Sequence, residues 1–224
     1  VECVQFAEFT PCVWDGLVPK LSHGGLLHAL ETAKRKFPSL EIYRSTQPSN
    51  HRLYFRRSAY NWISFALDPA PCYDESGKRI ANYHSGEMSF SDTRTRDCAH
   101  TLLNGKIGLL WWAIVGDDFH VTRSNFSAIP FPIERVATLE GTQGEALRAA
   151  LDAAMQANLV FKLNAGKRIG NYNLAKCRET SDRSDTIWKD ALCLQDCWDD
   201  VDLAYVQLVK TDFSQSESGD EGDG

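Results

Sequence analysis

No apolar run in this sequence is long enough to cross a bilayer: the longest, residues 107–115, has nine residues and is interrupted by Gly108, where roughly 20 are needed. Residues 1–9 carry Glu2 and Glu8 and no basic residue, so no secretory leader is expected in this segment. The chain does not begin with Met, and we expect it to be a piece of a longer protein. The phosphate-cradling Gly-x-x-x-x-Gly-Lys is absent, and the one Gly-x-Gly, Gly222-Asp-Gly224, lies in the polar C-terminal end, so no nucleotide-binding glycine turn is present. None of the ten lysines follows Asp or Glu by two positions, which excludes the carboxylate-x-Lys core of many metal-dependent nucleases. Serines, six histidines and many carboxylates occur, but none stands in nucleophile-elbow or zinc-helix spacing. A regular cysteine framework is lacking too. The seven cysteines, at positions 3, 12, 72, 98, 177, 193 and 197, suit reduced thiols in a cytoplasmic protein. Cys193-x-x-x-Cys197 and Cys98-x-His100 are each half of a zinc site without a matching second pair, so no metal is expected.

What is present is a globular composition. The 224 residues are 43% hydrophobic and 24% charged, enough to bury a core in one or two domains. The net charge of −6 is unevenly spread: residues 1–137 hold 15 basic residues against 14 carboxylates, whereas residues 138–224 hold 9 against 16. Within the first part, residues 34–57 carry Lys34, Arg35, Lys36, Arg44, Arg52, Arg56 and Arg57 against the single Glu41. Tyr43, Tyr54, Phe55, Tyr60 and Trp62 are interleaved or follow directly. Cations mixed with aromatic rings hold phosphates and bases respectively; the plainer alternative is a strand whose arginines face water. Residues 214–224 are acidic and polar without an apolar side chain, and are expected to be a disordered tail.

Apolar spacing predicts a helix over 24–37 ended by Pro38, β structure over 41–65, a turn at 74–77, a strand start at 79–81, and a strongly apolar helix over 96–115. A short strand at 119–122, an extended segment at 126–132, a helix over 142–163, a basic loop at 166–173 and a helical region to about 209 follow. The Trp111-Trp112 pair reads as core. The fold class expected is α+β: a mixed or antiparallel β recognition region with packed helices, then a mainly helical C-terminal part. The divisions are 1–137, 138–213 and the tail 214–224.

Three segments stand in a suggestive order: Leu102-Leu-Asn-Gly-Lys-Ile-Gly-Leu-Leu-Trp-Trp112, Gly116-Asp-Asp-Phe-His-Val-Thr122 and Ile129-Pro-Phe-Pro132. Gly170-Asn-Tyr-Asn-Leu-Ala-Lys-Cys-Arg178 and Thr180-Ser-Asp-Arg-Ser-Asp185 follow. Across 100–213 this series resembles the C-terminal specificity region of type II, including fused IIG, restriction-modification DNA adenine-N6 methyltransferases. That family's catalytic half, with its cofactor glycines and its Asn/Asp-Pro-Pro-aromatic loop, has no counterpart here; Asp68-Pro-Ala-Pro71 lacks the adjacent second proline and the stacking aromatic and reads as a turn. The resemblance implies a target-recognition fragment with no catalytic residue, acting with a methyltransferase domain upstream or on a partner subunit. It also implies double-stranded DNA as partner and S-adenosylmethionine as the cofactor of the missing domain. Reading DNA needs Arg on guanine and Asn or Gln on adenine, with further cations on phosphates. The expected DNA contacts are therefore Arg44, Gln47, Arg52, Arg56, Arg57 and Asn61 in the basic β region, Arg94 and Arg96 after it, and His120, Thr122 and Arg123 beyond Gly116. Two other classes stay open: a protein-interaction or scaffold domain working through the acidic C-terminal half with Trp188 and Trp198, and a self-contained nuclease or hydrolase.

Overall fold

In the computed structural model, which describes residues 7–21, 23–59 and 62–216, Leu26, Leu27, Leu30 and Ala33 form the buried stripe of α1 (Gly24–Lys36), as their spacing predicts. The β region that follows is shorter than expected. Leu40–Tyr43 is a single 3-10 turn, Arg44 makes only an isolated bridge to Phe90, and the strand proper is β1 (Arg52–Arg56). In β1, Leu53 and Phe55 point inward and Arg52, Tyr54 and Arg56 outward. It lies between β2 (Phe65–Ala66) and β5 (Ser85–Ser89), both antiparallel to it. Strand β5 has no sequence signal because Ser85, Gly86 and Glu87 open it and Met88 is its one apolar side chain. That glycine sits opposite Phe55, and a Cβ there would come within 2.5 Å of the Phe55 ring.

Between β2 and β5, β3 (Cys72–Tyr73) and β4 (Arg79–Ile80) form a hairpin over the expected turn. The Asp74 carboxylate accepts from the Ser76 and Lys78 amides, and Gly77 takes φ +79°.

The apolar helix expected over 96–115 is two helices, α2 (Thr93–Leu103) and α3 (Lys106–Val115), broken at Asn104 and Gly105. Asn104 uses its side-chain amide to clamp β2, accepting from the Phe65 amide at 2.9 Å and donating to the Phe65 carbonyl at 2.7 Å. The Asp185 carboxylate then accepts from the first amide of α3, Lys106, at 2.9 Å. A Cβ on Gly105 would lie 2.2 Å from that carboxylate oxygen, so the corner requires glycine. Residues 119–122 form no strand beyond an isolated bridge between His120 and Ser58; a 3-10 turn, Arg123–Phe126, leads into an extended segment bridged at Pro130 to Ser39.

After α4 (Ile133–Glu140) and α5 (Gly144–Ala157) the chain departs from expectation again. The helix expected to 163 stops at Ala157, and the predicted helix end and basic loop are a β-hairpin, β6 (Leu159–Asn164) and β7 (Lys167–Tyr172). The two residues of its turn, Ala165 and Gly166, both have positive φ, +46° and +73°. Strand β7 pairs with β3, so the second sheet, in order β4-β3-β7-β6, joins strands from either side of residue 137. Two helices finish the chain, α6 (Arg178–Ala191) and α7 (Trp198–Ser216). The last helix continues into the acidic segment expected from 214 to be disordered; residues after 216 lie outside those described.

The fold is thus α+β, with two antiparallel sheets, packed helices and a helical C-terminal part. A single large core draws on Leu53, Phe65, Trp111, Phe131, Trp188 and Val201, and a smaller one, with Leu151, Met155 and Tyr172, fills the space between α5 and the second sheet. Trp188 is 1% exposed, stacks 5.5 Å from Phe131 and donates to the Thr101 hydroxyl at 3.0 Å, so it is not part of a working surface. Among the described residues, no helix is long and apolar enough to cross a membrane, six cysteines are free thiols, and no group of three or more His, Cys, Asp and Glu gathers as metal ligands.

Candidate functional site

The arginines expected to contact DNA divide by what they already hold. Arg44 is paired with Glu41 and reaches the Ser127 hydroxyl at 3.4 Å. Arg52 donates to the Ser49 carbonyl at 2.6 Å and to Glu87, on the unpredicted strand β5, at 3.2 Å. Arg94 faces Glu134 at 3.5 Å, and Arg96 is paired with its neighbour Asp97 at 2.6 Å. His120 contacts Asp117 at 2.5 Å; that bond and the His120 and Phe119 amides hold the Asp117 carboxyl well below the usual carboxylate range. The Thr122 hydroxyl is spent within its own turn, on Ser124 and Asn125, each at 2.8 Å. Gln47 is exposed on the loop before β1, and Asn61 lies outside the described residues. Much of the basic stretch is therefore neutralised by carboxylates of the same molecule, and the exposed pairs among them, such as Arg94 with Glu134, contribute about 0–1 kcal/mol each.

Arg56, Arg57 and Arg123 differ. Arg57 and Arg123 are exposed and form no ion pair among the described residues. The Arg57 backbone is fixed on both sides, donating to the His84 carbonyl and accepting from the Val121 amide, both at 2.9 Å. These two bonds bring the end of β1 beside His120, which the Trp112 indole holds by its carbonyl at 2.9 Å. Arg56, on the outward face of β1, donates to the Asn171 side-chain oxygen on β7 at 2.9 Å. That bond ties the two sheets together.

Where the sheets meet, a groove opens, lined by Arg56, Ser58, Trp62, Ser64, Lys162 and Asn171. It continues past Tyr54, Asn82, His84 and Ser85. The Trp62 indole closes one wall by donating to the Tyr172 carbonyl at 2.9 Å. The side-chain NH2 of Asn171 is buried here with no hydrogen-bond partner among the described residues, a donor whose desolvation is uncompensated until an acceptor enters. Two cations, an amide donor and two serine hydroxyls around an aromatic wall can offer positive charge and hydrogen bonds to an oxyanion or another acceptor.

Lys162 and Asn171 went unrecognised in the sequence because the hairpin that carries them did. The signal available was the alternation Phe161-Lys-Leu-Asn before Ala165-Gly166. Within residues 102–112, the first of the segments that carried the family resemblance, Asn104 and Gly105 make the helix corner, and Trp111 and Trp112 are buried, their indoles donating to the Asn125 and His120 carbonyls. Compared with protein-family models, with curated proteins and with solved structures, the chain matches none of them.

Proposed function

We propose that this chain is a DNA-reading module, cytoplasmic and without chemistry of its own, that lends selectivity to an S-adenosylmethionine-dependent adenine methyltransferase domain outside these residues. One observation carries the reading: Arg56 and Lys162, from different sheets, converge with the unsatisfied amide of Asn171 on one groove. Phosphate contacts from such cations set register, and Asn or Arg at base edges supplies selectivity.

The test is duplex binding by the full-length protein across a salt series. Affinity should fall steeply with salt, and Arg56→Ala with Lys162→Ala should weaken it and lower the log–log salt slope by about one unit for each cation removed. Binding that is undetectable, or indifferent to salt, overturns the reading. The interaction-domain alternative is favoured by Leu203 and Val206, exposed on α7 at 49% and 42%. A stable protein complex that survives nuclease treatment and contains no nucleic acid would decide for it.

A further inference from the structure

We propose that the outer end of the four-stranded sheet is a second nucleic-acid site, a stacking platform for unpaired bases of a single strand, centred on Tyr73, Phe161 and Arg168. The register settles which side chains share a face. Tyr73 lies opposite Arg79 and Arg168, Leu163 opposite Arg168, and Phe161 opposite Gly170, so Arg79, Tyr73, Arg168, Leu163 and Phe161 all project to one side. Lys162 and Asn171 project to the other, into the groove. The two faces are separate surfaces.

This face is half used by the fold. Near Leu159 and Tyr172 it packs on Leu151 and Met155 of α5. Its far end is open: Phe161 is 38% exposed and Leu163 76%. The Tyr73 and Phe161 rings approach to 5.8 Å from strands on either side of β7, and Gly170, opposite Phe161, puts no side chain between them. The Arg168 guanidinium sits 5.0 Å from the Phe161 centroid, extending the ring surface with a charged plane.

Charge complementarity chooses the occupant. Residues 159–172 contain no carboxylate, within a C-terminal part otherwise dominated by acids, and of their three cations Arg168 lies on this face while Lys162 and Lys167 lie on the other. The neighbouring hairpin adds Lys78 and Arg79 against Asp74 and Glu75. Asp74 is consumed by its own turn, bonding Ser76 and Lys78, and Glu75 lies against the glycine of the β6–β7 turn. Aromatic rings flanked by Arg79 and Arg168 on one face of an antiparallel sheet suit a polyanion that presents flat faces. A duplex keeps those faces stacked, whereas unpaired bases expose them. Four strands span about 14 Å between the outer two, room for two or three bases.

The experiment measures fluorescence anisotropy of a labelled short oligothymidylate, and separately of a duplex, with the full-length protein. Phe161→Ala should weaken oligothymidylate binding about tenfold while leaving duplex affinity unchanged, and Phe161→Trp should restore it. Arg168→Ala should weaken it less and lower the salt slope by about 0.7. Near-ultraviolet circular dichroism equal to the parent's checks that the exposed-site variants fold. Arg56→Ala, acting on the other face, should spare oligothymidylate binding whether or not it alters the duplex, so the groove can fail while the platform stands. Oligothymidylate affinity that is undetectable, or equal in the parent and Phe161→Ala, overturns the platform.

Discussion

His100 shows at the residue scale how the interior decides a side chain's chemistry. It is 1% exposed beside β2, and burial, followed by the nearby charge of Arg96, pushes its imidazole down to about 4 against an opposing backbone hydrogen bond at Phe65. The folded protein keeps the ring neutral, while the unfolded chain binds a proton near 6.5. Between those values the unfolded state takes up more protons, so the stability present above 6.5 is lost as pH falls toward 4. The full shift corresponds to about 3 kcal/mol. Glu31 adds to the same acid sensitivity by the opposite route. Burial raises its pKa, but hydrogen bonds from Thr10 and the Trp14 indole more than offset that and hold the carboxyl below its ordinary value, so its contribution is present above the unfolded pKa and lost as pH falls. Urea unfolding at pH 7 and pH 4.5 should therefore differ in stability, and His100→Phe should shrink the difference by most of the His100 share. An undiminished difference in the variant would assign the acid sensitivity elsewhere.

At the scale of elements, what could be read from the sequence was what neighbours along the chain decide. The stripe of α1 and the turn at Asp74–Gly77 depend on residues a few positions apart, and both formed as expected. The break between α2 and α3 depends on Phe65 and Asp185, which are 39 and 79 residues from the groups that bind them, so no local pattern reveals it. The same holds for the candidate site: the arginines of β1 were evident as basic residues, but Arg52 is neutralised by Glu87, at the centre of a strand disguised by its polar residues and Gly86. The β6–β7 hairpin was hidden by one residue. A two-residue turn with positive φ at both positions favours Asn-Gly, yet here Ala165 takes the first position at φ +46° and Asn164 is displaced into the strand. Left-handed backbone costs a side-chain-bearing residue about 1–2 kcal/mol, so Ala165→Gly, partly offset by the entropy glycine adds to the unfolded chain, should stabilise the protein by about 0.5–1 kcal/mol. The measurement is the denaturant midpoint of the variant against the parent; a lower midpoint would mean the turn does not hold this conformation. The variant should leave both proposed binding faces intact, because Ala165 lines neither.

The molecule as a whole is organised against its own charge distribution. Composition divides the chain near residue 137 into a nearly neutral part and an acidic one, but the packing crosses that line twice. Strand β7 completes a sheet with β3, and Trp188 and Val201 belong to the same core as Leu53, Phe65 and Phe131. The buried Asp185 adds a polar tie: it accepts from the Lys106 amide and from Arg178, both at 2.9 Å, joining α3 to α6. Burial pushes the Asp185 carboxyl up to about 6, against the pull of the Arg178 charge, and removing a partner from such a pair typically costs about 3–5 kcal/mol. Cutting the chain after residue 137 strips the first part of β7, of the Trp188 ring stacked on Phe131, and of the carboxylate at the α3 amide. That loss is large against the 5–15 kcal/mol typical of a whole domain. Residues 1–137 alone should therefore melt without a cooperative transition, and the intact chain should melt in one transition whether followed by far-ultraviolet circular dichroism or by tryptophan fluorescence. Two resolved transitions in the intact chain, or a cooperatively folded 1–137 fragment, would show that the second sheet is a dispensable seam. The groove would then lose its physical basis, because Arg56 and Lys162 line it together only while the two parts fold as one.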